Sequence, residues 1–221
     1  MRNLKRIRAI ATLINDKDKI VADIGADHGY LTKVLIEENR AKAVIATDIS
    51  KASLEKTANL AKKYGFLDKI FLKVGDGLKI LNKGEAQIVV IAGMGGNEII
   101  KILEENTDIT FDKFIFQPMQ NTINLREYLI KHNYEILKDF IVKDRKKFYN
   151  TIVARFSTNK QNLSKKQIEF GLTNLDLKGN DFIEYLSEYI NNNEVIYEKS
   201  NSKIIKEKIN MAKEVLAEAK N

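Results

Sequence analysis

Val21-Ala22-Asp23-Ile24-Gly25-Ala26-Asp27-His28-Gly29-Tyr30-Leu31 contains a strand end, a turn and a helix start in direct succession. The apolar run from Ile20 to Ala22 ends in a carboxylate. A glycine-bearing loop follows, and Leu31, Val34 and Leu35 then recur at helical spacing. This is the first strand, loop and helix of a nucleotide-binding α/β sheet, whose ligands sit outside the carboxyl ends of the strands. The glycine spacing narrows the ligand. A dinucleotide fingerprint, G-x-G-x-x-G, rests pyrophosphate on a helix N-terminus. Here the glycines are Gly25 and Gly29, with Asp27 between them. A carboxylate there repels pyrophosphate and suits a cationic ligand without phosphate, such as S-adenosyl-L-methionine.

Outward from this loop, strand-like and helix-like runs alternate. Strands are expected at Lys19–Asp23, Ala43–Asp48, Ile70–Val74, Gln87–Ala92 and Lys113–Gln117. Helices are expected over 2–14, 29–38, 51–64, 77–81, 95–105 and 121–132. The rhythm predicts right-handed βαβ units and a parallel sheet. Tyr134–Val142 and Lys147–Phe156 are separated by only a short charged turn and so form an antiparallel hairpin. Five parallel strands and a hairpin give an α/β fold of the class I methyltransferase (Rossmann-like) type, with a seven-stranded sheet. After Phe156 the composition changes. Phe182, Leu186 and Tyr189 form one helical stripe, and Ile205, Ile209, Ala212, Leu216 and Ala219 form another. The expectation is two domains: 1–156, binding the cofactor, and 157–221, a coiled-coil-like helical hairpin. The second stripe zips onto the first within one chain or pairs between chains. The former needs no partner, so a monomer is expected.

Composition closes off several classes. The sequence has no cysteine and only His28 and His132, which argues against a metal centre. No apolar run approaches the roughly 20 residues that span a bilayer. No signal-peptide pattern follows the basic first residues, so a cytoplasmic protein without a membrane partner is expected. The net charge of +7 is carried wholly by residues 1–156, where 27 Lys+Arg face 20 Asp+Glu; residues 157–221 hold 10 of each. Clusters stand at Arg2/Lys5/Arg6/Arg8 and Lys143/Arg145/Lys146/Lys147. They suit either an anionic partner, most simply nucleic acid, or plain solubility.

The strand ends supply the chemistry. Asp23 either accepts from the ligand's amino group or braces its own loop, and Gly25 lets the backbone turn beneath the ligand. Asp48, closing the second strand, fits ribose hydroxyls; Ser50 is free to cap the next helix in its place. Asp76, between Gly75 and Gly77, can accept from an adenine amine. Ala92-Gly93-Met94-Gly95-Gly96 suits backbone lying close to the sulfonium and the target base. Gln117-Pro118 carries the only proline and marks a base pocket.

These pieces together resemble the bacterial tRNA (adenine-22 N1)-methyltransferases. The resemblance is carried by Lys5-Arg6, by Ala22 to Leu31, and by Gly75-Asp76-Gly77-Leu78. Ile91-Ala92-Gly93-Met94-Gly95-Gly96, Gln117-Pro118 and Lys147-Phe148-Tyr149 complete it, in order over residues 4–156. Three positions depart from the family pattern: Met119 for asparagine, Asp48 for a frequent glutamate, and Asn150 for glutamate. The resemblance implies methyl transfer from S-adenosyl-L-methionine to N1 of adenine 22 in tRNA, with Asp27 at the position of the catalytic aspartate. His28 and Tyr30 either position ligand or pack the helix start. Arg6, Arg8, Lys143, Arg145, Lys146, Lys147 and Tyr149 are the residues expected to meet RNA. Another RNA adenine as target, or a silent cofactor-binding RNA module, are the competing readings.

Overall fold

The computed structural model describes residues 5–105 and 111–220; Arg2 of the first basic cluster and residues 2–4 of the expected leading helix lie outside them. In chain order the elements are α1 (Lys5–Thr12), β1 (Asp16–Ile24), α2 (Tyr30–Glu37), β2 (Ala41–Asp48), α3 (Lys51–Tyr64), β3 (Ile70–Val74), β4 (Ile88–Ala92), α4 (Gly96–Glu104) and β5 (Lys113–Gln117). They continue with α5 (Thr122–Lys131), β6 (Tyr134–Asp144), β7 (Lys147–Phe156), α6 (Lys165–Phe170), α7 (Leu172–Leu177), α8 (Asn180–Ser200) and α9 (Lys203–Lys220).

The strands form one sheet in the order β3-β2-β1-β4-β5-β7-β6. β1 to β5 run parallel, and β7 enters antiparallel beside β5 with β6 outside it. Strand residues alternate between two cores. Val21, Val44, Ile88, Val90, Ile115 and Val153 face α1, α2 and α3. Ala22, Ile24, Ile45, Val89, Ile91, Phe114 and Phe116 face α4 and α5. Both faces of the sheet are therefore covered, which is why its strands read as continuous apolar runs. The strand order reverses between β1 and β4, opening a crevice at their carboxyl ends.

One expected helix is absent: 77–81 is a turn. Gly77 takes φ +55, and Leu78 and Leu81 are buried side by side. Their helical spacing reflects one turn folded onto the core, closed by the Leu81 N–H on the Leu78 carbonyl at 3.1 Å. Ser50 does cap α3, accepting from the Ser53 amide at 3.3 Å.

The C-terminal helices include two short ones, α6 and α7, between β7 and the helical hairpin. α8 and α9 pack together through Phe182, Leu186, Ile190, Ile209, Ala212 and Val215, joined by Ile141 of β6. They also finish the sheet. β6 is an edge strand, and its outward amides would otherwise be open to strand pairing. The Asp139, Ile141 and Lys143 amides instead donate to Thr173 Oγ1 (2.8 Å), Asn174 Oδ1 (2.9 Å) and Asp181 Oδ2 (2.9 Å).

Candidate active site

A cleft of about 480 Å³ lies at the carboxyl ends of β1, β2, β3 and β4. Eleven of the residues singled out from the sequence line it: Arg6, Asp23, Gly25, Asp27, His28, Tyr30, Asp48, Asp76, Ala92, Gly93 and Met94. The lining is acidic. Asp23, Asp27, Asp48, Asp76, Glu98 and Glu105 face two full cations, Arg6 and Lys101. That balance suits a cationic ligand and opposes a polyphosphate.

Each acid is held differently. Asp23 is buried at the end of β1 and accepts from Thr32 Oγ1 of α2 at 2.9 Å. It braces the loop whatever else it does. Burial pushes its carboxyl up to about 6, from an ordinary 3.8, against the pull of the Thr32 hydrogen bonds. The folded chain thus holds a proton that the unfolded chain releases between roughly pH 4 and 6. Stability from this group falls as pH rises through that window, and the ionised carboxyl costs on the order of 3 kcal/mol at neutral pH. Asp23→Asn keeps an acceptor for Thr32 and removes the charge. In urea melts of the ligand-free protein it is expected to be more stable than the parent at pH 7, with the gap closing by pH 4. A variant less stable than the parent at both pH values would contradict this.

Asp48 ties two loops, accepting the Asp27 amide at 3.2 Å and the Ser50 amide at 2.8 Å. Its remaining lone pairs stay available to hydroxyls. Asp27 sits in the left-handed region at φ +47. Its amide is fixed by Asp48 and its carbonyl accepts from Thr57 Oγ1 at 3.1 Å. The carboxylate itself is 64% exposed, 3.5 Å from His28 Nδ1. A pinned backbone thus carries an accessible acid at the cleft. His28 and Tyr30 meet edge to face at 5.7 Å.

The glycines divide by role. Gly25 has φ +70, and a Cβ there would lie 2.3 Å from Met94 Cε. Met94 closes the cleft floor in the space a side chain would take. Gly96 does structural work instead: its Cβ would fall 2.3 Å from the Asn121 carbonyl oxygen. The segment Gly93–Gly96 is zipped to the one after β5. The Gly93, Met119 and Gly96 amides donate to the Gln117, Met94 and Gln120 carbonyls at 3.1, 2.8 and 2.8 Å. Gly95 and Gly77 lie outside the lining; Gly77 is buried against Ile102.

Gln117 and Pro118 are buried and do not line the cleft. Gln117 Oε1 accepts from Arg6 Nη1 at 3.1 Å, and its Nε2 donates to Thr151 Oγ1 at 3.1 Å. An uncharged amide between a cation and a hydroxyl aims Arg6 rather than a base. The Arg6 guanidinium lies 5.4 Å from the Tyr149 ring centroid, so Tyr149 joins the cleft only through Arg6. The basic residues separate similarly. Arg8 is paired with Glu38 at 3.0 Å, and Lys143 with Glu184. Arg145, Lys146 and Lys147 are exposed at the β6–β7 turn.

Sequence reasoning missed one wall. Glu98, Lys101, Ile102 and Glu105 line the cleft from α4 and its C-cap. Their spacing of three, four and seven places them on one helix face, which was the signal available. It also missed Thr47, whose buried Oγ1 lacks a hydrogen-bond partner among the described residues and which lines the cleft. An orphaned hydroxyl at this depth fits a ligand polar group, so the donor set suits the proposed cofactor. Among the described residues no group of acids and histidines is arranged to hold a metal, and no helix is long and apolar enough to cross a membrane.

A family model described as "Methyltransferase domain" matches residues 4–152. The tRNA (adenine(22)-N(1))-methyltransferase of Bacillus subtilis is 34% identical over 152 residues, covering 68% of this chain and 63% of that relative. The crystal structure of the B. subtilis M1A22 tRNA methyltransferase TrmK superimposes with a TM-score of 0.83 at 27% identity, over 97% of this chain and 99% of that one. The chain belongs to the methyltransferase-domain family, and its fold is that of the tRNA (adenine-22 N1)-methyltransferases. The family resemblance and fold class expected from the sequence are both borne out. A further member, TrmK from M. capricolum, matches with a TM-score of 0.82 at 27% identity, over 96% of each chain. That structure holds the cofactor product S-adenosyl-homocysteine.

Proposed function

We infer that this chain transfers a methyl group from S-adenosyl-L-methionine to N1 of adenine 22 in tRNA. The observation supporting this most is the accessible Asp27 carboxylate on a pinned backbone beside an acid-lined cleft, in a chain of this family. S-adenosyl-L-methionine would supply a methyl carbon activated by its sulfonium; an adenine nitrogen lone pair attacks that carbon in line, the carbon–sulfur bond breaks, and S-adenosyl-homocysteine leaves.

The protein's own residues bind and align. Asp48 receives ribose hydroxyls, Asp76 the adenine amine of the cofactor, and Thr47 Oγ1 a polar group at the cleft floor. Gly25, Ala92, Gly93 and Met94 bring backbone close to the reacting centre. Adenine N1 already carries its lone pair, so no strong base is required. Methylation makes the ring cationic. Asp27 accepts from its exocyclic amine, orients the ring and stabilises the growing charge. Alignment supplies much of the remaining acceleration. The base must first leave its stack, at a cost of a few kcal/mol. Phosphate contacts offset that cost, from Arg145, Lys146 and Lys147 first, since they are exposed and cationic. Residues 1–156 carry the chemistry and 157–221 complete the RNA-facing side, in a cytoplasmic enzyme that is monomeric without tRNA.

The test is mass spectrometry of tRNA digests from cells lacking the gene. Loss of 1-methyladenosine at position 22, restored by the purified protein, is the expected result. Intact modification at 22 with loss elsewhere would reassign the substrate.

A further inference from the structure

A second cavity, of about 390 Å³, opens where the β6–β7 turn meets α8. Its walls are aromatic: Phe148 and Tyr149 come from β7, Tyr185 and Tyr189 from α8. Phe148 and Tyr185 meet edge to face at 5.6 Å. Burial pushes the Tyr185 hydroxyl up to about 12, so it stays neutral. Lys146 and Lys147 stand exposed at the mouth, and neither is in an ion pair among the described residues. Asn192 adds an exposed amide, and Glu188 is the one acid.

This cavity adjoins the cleft through two links. Tyr149 lies beneath the guanidinium of Arg6, which itself lines the cleft. Met119, on the cavity wall, donates its amide to the carbonyl of Met94 on the cleft floor at 2.8 Å. The two openings are therefore joined at Arg6–Tyr149 and at Met94–Met119. Aromatic faces with an amide at the rim and free lysines at the mouth match an unpaired nucleobase and its phosphate. We propose that this cavity seats the nucleotide next to the target adenine in the RNA strand. The proposal rests on the RNA-methyltransferase reading above. Extracting one base leaves its neighbour without a stacking partner, and a seat for that neighbour holds the strand open while the target occupies the cleft.

The experiment compares three tRNA transcripts: intact, abasic at nucleotide 21, and abasic at nucleotide 23. Asn192→Trp fills the cavity mouth from an exposed helix position. On intact tRNA it raises KM about tenfold with kcat little changed, and one abasic transcript raises KM similarly for the unaltered enzyme. Combined, the two penalties do not multiply, because both empty the same seat. Multiplying penalties, or an unchanged KM, overturn the proposal. Lys146→Ala/Lys147→Ala disturbs no buried group and is a second probe. It raises KM and lowers the salt slope of RNA binding by about two; an unchanged slope counts against the seat. The unaltered enzyme on intact tRNA runs in the same series. Its inactivity would indict the substrate assignment, whereas full activity with independent penalties would indict the seat alone.

Discussion

Asp27→Asn is expected to lower kcat for tRNA methylation by about 10²–10³-fold while leaving affinities for S-adenosyl-L-methionine and tRNA near those of the parent. The magnitude is that of removing one preorganised group aimed at developing charge, about 2.7–4 kcal/mol. The charge here is positive and develops on the adenine ring, so the carboxylate acts more strongly on the transition state than on bound substrate. Asparagine is the informative replacement. Residue 27 sits at φ +47, and asparagine visits that region readily. Its amide still donates to Asp48 and its carbonyl still accepts from Thr57. The loop therefore survives, and the change isolates the charge. Asp27→Ala adds a backbone cost of order 1 kcal/mol and confounds the two. Single-turnover kinetics with saturating tRNA separate chemistry from binding. Asp27→Asn at the parent's rate would remove this residue from the mechanism.

Much of this site was legible because three of its acids stand at strand ends. Asp23 and Asp48 lie in the last residues of β1 and β2 and Asp76 just beyond β3, and strand ends in a parallel sheet meet at one crevice. Roles were less legible than positions. Gln117 looks like a polar group beside a base pocket, yet it is buried between Arg6 of α1 and Thr151 of β7 and serves Arg6. Arg8 and Lys143 look like free cations, yet partners distant in sequence, Glu38 and Glu184, consume them. The α4 wall was missed because Glu98, Lys101 and Glu105 read as a solvated helix face, which is what they become when nothing stands opposite. The short helices α6 and α7 carry too few turns for periodicity to register. α7 is held by side chains that cap the β6 edge, Thr173 and Asn174, a tertiary fact.

The same limit hid the most consequential ion pair in the molecule. Arg126→Met is expected to destabilise the fold by about 3–5 kcal/mol, lowering the melting temperature by about 6–20 °C at 2–4 °C per kcal/mol. Arg126 and Asp139 are 1% and 0% exposed. Their bidentate contact runs at 2.6 Å and 3.0 Å. The guanidinium also donates to the Ile168 and Glu169 carbonyls at the end of α6 and to Asn150 Oδ1 of β7. One side chain from α5 thus joins the sheet edge to the first C-terminal helix. Burial pushes the Asp139 carboxyl upward, against the pull of Arg126. The pair is costly to break and contributes little net stability, because either partner alone is an uncompensated buried charge. The double variant Arg126→Met/Asp139→Leu should therefore recover a good part of the loss, read as a melting temperature well above that of either single change. Function should divide along the same line. The cofactor cleft is built from the strand ends and α4, away from α6, so donor affinity in folded Arg126→Met should hold. The cavity between β7 and α8 depends on how the C-terminal helices seat on β6, so the KM for tRNA should rise. Equal losses of donor and tRNA affinity would show that Arg126 supports the whole fold rather than this junction.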